Sequence, residues 1–395
     1  MIKGKSSKSI FHFSKILCSE QLGNPLGRVE KKFIENMLYG IHGSRSVNLT
    51  GIARELGESI KLHATQKRLS RNLDNLSLAQ NLSSRLLKLS AKKVSPKTRL
   101  IVHVYELNKK YANKIEYLPN SDDEKVHGFK VCEILSSEIG SENFIPLTSR
   151  VWSNEVPGYV SDNEEIRKII TDVLSATHNR GLFYFDDKTI PDNLLTPLIE
   201  DNDIKFIAPI RNPDITVSYK NKNWSPQELA QQVETRYGQT MFKLVPEGTN
   251  YFASKTDIDL FIQVGAIPVK LAGYSRPLSL IALKANNSFT GEFTTPYITS
   301  RTDLNSRKTL MGLMESWLSI QDILEAHKKI RTEFQPEHFR VLTHNRLRLL
   351  MTLLQAVMQF EVLSSADELL PDHQIRSTPR TGNLDRTYLM PRDKT

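Results

Sequence analysis

Arg99-Leu-Ile-Val-His-Val-Tyr105, and further along Leu182-Phe-Tyr-Phe-Asp-Asp187, decide the fold. Both are short runs of apolar, β-branched and aromatic residues, the composition of buried strands, and the second closes on two acids. Between them, residues 126–134 and 144–152 read as two further strands. Ser161-Asp-Asn-Glu164 is a capping box opening a helix along Ile166, Ile169, Ile170, Val173 and Leu174, ending near Gly181. Strands, a covering helix and then a strand ending in carboxylates predict an α/β core. A helix near residues 191–199 and a strand at 205–210 continue it.

Outward from this core the pattern changes on both sides. Residues 212–300 carry short β-type segments (Phe252–Ala253, Leu260–Val264, Pro268–Leu271, Leu278–Leu283) and read as a β-rich insertion. Helices are expected at about 309–333 and 343–362, followed by a polar tail over 364–395 that is extended or disordered. On the N-terminal side, residues 1–24 read as a loose basic arm. Val29, Phe33, Ile34, Met37, Leu38 and Ile41 then recur at helical spacing. After Gly43-Ser44, a second short helix runs through Leu49, Ile52, Ala53 and Leu56 and stops at Gly57. A third passes through Leu69, Leu73 and Leu76, flanked by Lys67, Arg68 and Arg71. Helix, tight turn and basic helix form the pattern of a helix-turn-helix. A helical DNA-binding domain is therefore expected over 25–95, a polar linker at 90–98, and the core over 99–362.

Charge separates the same regions. Of 395 residues, 25% are charged and 39% apolar, as in a water-soluble globular chain of two or three domains. Residues 1–100 hold 19 Lys/Arg against 6 Asp/Glu, while the remainder holds 34 against 38. So positive an N-terminal part predicts a polyanionic partner, nucleic acid, because each neutralised phosphate releases condensed counterions; the helix-turn-helix pattern narrows it to double-stranded DNA. The plainer reading is a solvated basic face. The apolar run 347–358 is short and interrupted by Arg348, which argues against a membrane span. The first 20 residues, broken by lysines, do not read as a secretory signal. Two cysteines, Cys18 and Cys132, make neither a disulfide scaffold nor a zinc cluster, and fit a reducing cytoplasm.

Several segments together resemble the DDE transposases of bacterial insertion sequences, of the IS-four type. Asn48-Leu-Thr-Gly-Ile-Ala-Arg-Glu-Leu56 and Thr65-Gln-Lys-Arg-Leu-Ser-Arg-Asn-Leu73 are similar to that family's region before the core. Leu100-Ile-Val-His-Val-Tyr-Glu-Leu-Asn-Lys-Lys-Tyr111 is similar to its first catalytic strand and turn. Pro146-Leu-Thr-Ser-Arg-Val-Trp-Ser153 and Arg180-Gly-Leu-Phe-Tyr-Phe-Asp186 resemble the approach to the second catalytic carboxylate. Glu337-His-Phe-Arg-Val-Leu-Thr-His-Asn-Arg-Leu347 resembles the segment after the last catalytic helix. In order and spacing the match covers roughly residues 25–362, and it implies an RNase H-like core, a mixed sheet flanked by helices, with a β insertion.

That family cuts and joins DNA with two divalent ions held by Asp, Asp and Glu. Carried over, those positions fall on His103, Asp186 and Gln321, so two of three are not acids, and a neutral imidazole is a poor Mg²⁺ ligand. The family's Tyr-x2-Arg-x3-Glu-x6-Lys helix becomes Met314, Trp317, Gln321 and Lys328, which would share one helical face. Each has a plainer reading: His103 as a hydrogen-bonded core histidine, Asp186 as a turn cap, Gln321 as a satisfied amide, Lys328 as a surface lysine. Of the neighbouring acids, Glu106, Asp187, Asp322 and Glu325, at least Glu106, Asp322 and Glu325 point elsewhere on ideal geometry. The resemblance thus implies a DNA-binding regulator or inhibitor derived from a transposase, without catalysis and with no cofactor. The expected DNA contacts are Lys61, His63, Thr65, Gln66, Lys67, Arg68 and Arg71, and the expected assembly is a homodimer or a mixed oligomer with a related transposase on bacterial, nucleoid-associated DNA. One alternative is an active divergent transposase using Mg²⁺ or Mn²⁺, with Asp186 as a metal ligand; another is a scaffold module in a nucleic-acid-handling complex.

Overall fold

A computed structural model describes residues 2–108, 114–119, 128–186, 204–212, 214–244, 257–287 and 291–365. It is a mixed α/β structure divided into two compact units, one of residues Met1–Leu194 with Ser319–Pro371, the other containing Leu195–Leu318. The helix expected near 191–199, the strand at Phe252–Ala253, Asp187 and the tail beyond 365 lie outside the described residues.

The first unit contains β1 (Arg99–Asn108), β2 (Gly128–Ser137), β3 (Phe144–Trp152) and β4 (Leu182–Phe185). Strands β1, β2 and β3 are antiparallel neighbours, and β4 joins the other side of β1 in parallel, with Val102 opposite Phe185. A parallel return requires a crossover, and α6 (Asp162–Thr177) supplies it. Half of its expected capping box forms, the Ser161 hydroxyl accepting from the Glu164 amide, while the Glu164 carboxylate pairs with Arg167; all five apolar residues of the expected stripe are buried. Gly181 sits at φ +97, and a Cβ there would come within 2.6 Å of Leu100, so the chain can enter β4 this closely only as glycine.

Five helices precede β1: α1 (Ile2–Leu17), α2 (Arg28–Ser44), α3 (Leu49–Leu56), α4 (Leu62–Asn72) and α5 (Leu76–Ala91). The loose arm is corrected here, since α1 buries Ile10, Phe13 and Leu17 in the main core. Those three share an i, i+3, i+7 stripe hidden among serines and lysines, and burial of each such side chain contributes about 1.5–3 kcal/mol. Helix α2 crosses α3 at short range: a Cβ on Gly40 would meet Ile52 at 2.4 Å. Gly57 closes α3 at φ +56. Two further expectations shift. Leu76 is 61% exposed and starts α5 rather than extending α4, because Asn75 caps the new helix at the Leu78 amide. The linker at 90–98 is a tight turn, not a spacer, and α1–α5 do not stand apart from the core.

The unit closes with α9 (Ile320–Glu333) and α10 (His344–Ser365). The helix expected at about 343–362 forms as α10; His344–Ser364 is long and apolar enough to cross a membrane by length and composition, and 78% of that window is buried inside the protein. It packs on β3, α5, α2 and α1 and serves as the central helix of the core.

In the second unit, β5 (Phe206–Pro209), β11 (Gly291–Thr299), β10 (Leu278–Asn287) and β9 (Asp257–Leu271) are antiparallel in that order. β8 (Tyr237–Leu244) and β6 (Val217–Tyr219) both pair with β9, and β6 forms a hairpin with β7 (Lys222–Trp224). The segments expected at 260–264 and 268–271 are thus one strand. Two helices, α7 (Pro226–Gln232) and α8 (Arg307–Leu318), pack on this sheet, and Trp317 meets Tyr297 edge-on with centroids 4.6 Å apart.

Candidate functional site

Position along β1 and its register with β2 and β4 determine what meets at the carboxyl end of β4. His103 and Tyr105, two residues apart, lie on one face of β1, with rings stacked 5.5 Å apart. Asp186 directly follows β4 and is 2% exposed. His103 Nδ1 stands 3.5 Å from Asp186 Oδ2, and the Gln321 amide, on the first turn of α9, donates to Asp186 Oδ1 at 2.8 Å. The three positions carried over from the family pattern therefore converge on one carboxylate.

The start of α9 is pinned from beneath by Arg99, which is 1% exposed. Its guanidinium donates to the Ser319 hydroxyl at 2.6 Å, to the Ser137 hydroxyl, and to the Glu138 and Ser141 carbonyls. One residue thereby ties the turn after β2 to the helix that carries Gln321.

Behind His103 lies a second buried layer that the sequence reading missed. Glu133 on β2 is directly opposite His103 and is 4% exposed. It accepts from the Tyr105 hydroxyl at 3.1 Å and lies 3.0 Å from His327 Nε2, while the Arg331 guanidinium covers the Tyr105 ring at 3.4 Å. Burial drives the Glu133 carboxyl upward, but His327, Arg331 and His103 outweigh it and hold the group down at about 2. Burial, with Glu133 beside it, pushes the Tyr105 phenol far up. The available signal was an acid inside the apolar run Val131-Cys-Glu-Ile-Leu135, with His327 and Arg331 spaced one turn apart on a later helix.

The shared helical face of the four-residue motif needs correction. Ser319 interrupts the helix, so Met314 and Trp317 belong to α8 of the second unit and Gln321 and Lys328 to α9 of the first. Met314 and Trp317 are buried, whereas Lys328 is exposed. Glu106 and Glu325 are exposed, and Asp322 is half-buried.

Two divalent ions do not fit this donor set. Hard cations need several anionic oxygens at one point. Among the described residues one carboxylate stands at this point, Asp186, with one oxygen accepting from an amide and a histidine 3.5 Å from the other. Among the described residues no group of three or more His, Cys, Asp or Glu is arranged to hold a metal ion.

The expected DNA contacts divide into two sets. Thr65 is 1% exposed and donates to Glu58 at 2.8 Å; Gln66 donates to the Thr50 hydroxyl; Arg68 is paired with Glu58 at 2.7 Å. These three fasten α4 to α3 and its following turn; Thr65, buried, is thereby corrected as a DNA contact, while Gln66 and Arg68 are part-exposed and engaged within the protein. His63, Lys67 and Arg71 are exposed at four-residue intervals along α4, with Lys61 at its start, and none of the four side chains has a hydrogen bond or ion pair among the described residues.

No protein-family model matches the chain, and comparison with curated proteins finds no match.

Proposed function

We propose that the protein is a transposase-like DNA-binding protein that does not cut DNA. The observation that carries this reading is the convergence of His103, Asp186 and Gln321 at the end of β4, where strand cleavage would need three acids. A mixed sheet flanked by helices, with the first position on a central strand, the second at the end of its parallel neighbour and the third on a later helix, supports an RNase H-like core. An amide in place of the third acid satisfies Asp186 internally instead of leaving it for a cation.

DNA binding rests on the His63, Lys67 and Arg71 stripe and on Lys61. Lysines there set position on the phosphates, and Arg71 offers a fork to a guanine edge. A regulator or inhibitor acting on DNA ends, alone or mixed with a related transposase, follows from binding without cutting.

The test uses the full chain and genomic duplex fragments recovered by crosslinking. Binding should weaken steeply with salt, log K falling by about 0.9 per neutralised phosphate for each decade of salt. No nicks should appear with Mg²⁺ or Mn²⁺. Metal-dependent nicking that disappears in Asp186→Ala would overturn the reading.

A further inference from the structure

A cavity of about 740 Å³ opens within the first unit between α5, β3, α6 and α10, away from the end of β4 and from α4. Its volume lies in the range of small-molecule sites, about 300–1,000 Å³. Three cations line it, Lys88, Arg150 and Arg348, against a single carboxylate, Asp172.

These cations are not neutralised by the protein to the extent that burial ordinarily demands. Glu165 pairs with Arg150, but the same carboxylate also holds Lys168 at 2.7 Å. Arg348 is half-buried, and its guanidinium has no hydrogen bond or ion pair among the described residues. Burial and the charge of Arg150 both work against its protonated form, and the Glu165 charge offsets them only in part. Arg150, Arg348 and Lys88 at the cavity and Lys168 beside it share two carboxylates, Glu165 and Asp172, a positive excess that is costly where the groups are partly buried. An anion between the two guanidiniums would offset that cost. Thr148 and Ser149 on β3 add hydroxyls at the same wall.

We propose that this cavity binds a phosphorylated small molecule, its phosphate held by Arg150 and Arg348. Guanidinium forks match phosphate oxygens in pairs, and hydroxyl donors complete the shell. Lys88, at the exposed rim, adds a point charge, and Asp172 excludes ligands whose negative charge extends to its side of the cavity. A volume of this size admits one nucleotide-sized molecule rather than a duplex.

The experiment titrates the full chain with inorganic phosphate, pyrophosphate, adenosine monophosphate and adenosine, reading calorimetric heat and melting temperature. The phosphate-bearing probes should bind and raise the melting temperature, and adenosine should not. Arg348→Gln should weaken pyrophosphate binding tenfold or more, Arg348→Lys should fall between, and Asp172→Asn should bind several-fold more tightly. Without ligand, Arg348→Gln should melt no lower than the parent, because it removes a repulsion; an arginine that merely supports the fold would lower it. Absence of binding by all three phosphate-bearing probes at about 1 mM, a standard free energy near −4.1 kcal/mol, overturns the proposal. So does unchanged affinity in Arg348→Gln, or a loss confined to duplex DNA, which would assign the cavity to a nucleic-acid backbone.

Discussion

The end of β4 and the outer face of α4 belong to one compact unit yet handle charge in opposite ways. Around Asp186 and Glu133, charged and polar groups are buried and answer one another: Gln321 to Asp186, Tyr105 and His327 to Glu133, Arg331 to Tyr105. Along α4, His63, Lys67 and Arg71 face solvent with no partner among the described residues, while Thr65, Gln66 and Arg68 on the inner side are engaged. These groups pair by charge and proximity inside the core, although His103 Nδ1, Glu133 Oε2, both His327 ring nitrogens and one Arg331 nitrogen make no hydrogen bond among the described residues. A row of unanswered cations is free for an external anion. The difference separates two claims: the buried positions bear on whether the proposed protein could cut DNA, and the outward charges on whether it binds it.

The comparison breaks first at Glu133. If the buried cluster is structural, Glu133→Ala leaves Arg331 without its nearby carboxylate and Tyr105 and His327 without their polar neighbour, and should cost about 3–5 kcal/mol in denaturant unfolding. A loss below about 0.5 kcal/mol, the scale of a surface change, would mean the cluster does not hold the fold.

A second test restores negative charge at the end of β4. His103→Asp with Gln321→Glu adds two carboxylates beside Asp186. The double variant should melt below the parent without metal, through repulsion of like charges, and recover on adding Mn²⁺, while the parent stays unmoved. Equal responses to Mn²⁺ from both proteins would show that these two positions do not govern metal binding.

The third test uses pH. His344 is 6% exposed and stacks on Phe129; burial, then the Arg348 charge, depresses it to about 4 from an ordinary 6.5. Between those values the unfolded chain takes up a proton that the folded chain refuses, so stability falls as pH drops through that window. Glu133, held at about 2 against an ordinary 4.5, extends the loss to lower pH by the same sign. Melting temperature should therefore fall from pH 6.5 to pH 4, and His344→Gln should flatten that part of the curve.

How much of this was legible in the sequence depends on whether a signal was local. The strands, the α6 stripe and the Ser161 cap were readable because alternation, periodicity and capping act over a few residues. The α1 stripe was equally local but masked by serines and lysines between Ile10, Phe13 and Leu17. The meeting of His103, Asp186 and Gln321 was implied only through a family pattern, since nothing within any one segment says which strand end faces which helix. Glu133 was missed because its partners come from β1 and α9, and the value of a buried acid depends on neighbours that spacing alone cannot supply. The Arg68 ion pair was hidden for the same reason: its partner, Glu58, lies across a turn.

The smallest expected change in stability, and the sharpest test of the contrast, is at the α4 surface. Lys67→Ala with Arg71→Ala removes two exposed cations that touch nothing in the described structure, so unfolding free energy should stay within about 0.5 kcal/mol of the parent. Duplex binding should respond instead. If each side chain neutralises one phosphate, the slope of log K against log salt should become shallower by about 1.8 in total, and affinity should drop most at low salt. Arg68→Ala should behave the other way round, because Arg68 is committed to Glu58: some stability lost, with little change in slope. A double variant that keeps the parent's salt slope would place the DNA contact elsewhere on the basic N-terminal region. A stability loss as large as that of Glu133→Ala would erase the distinction between inward and outward charge.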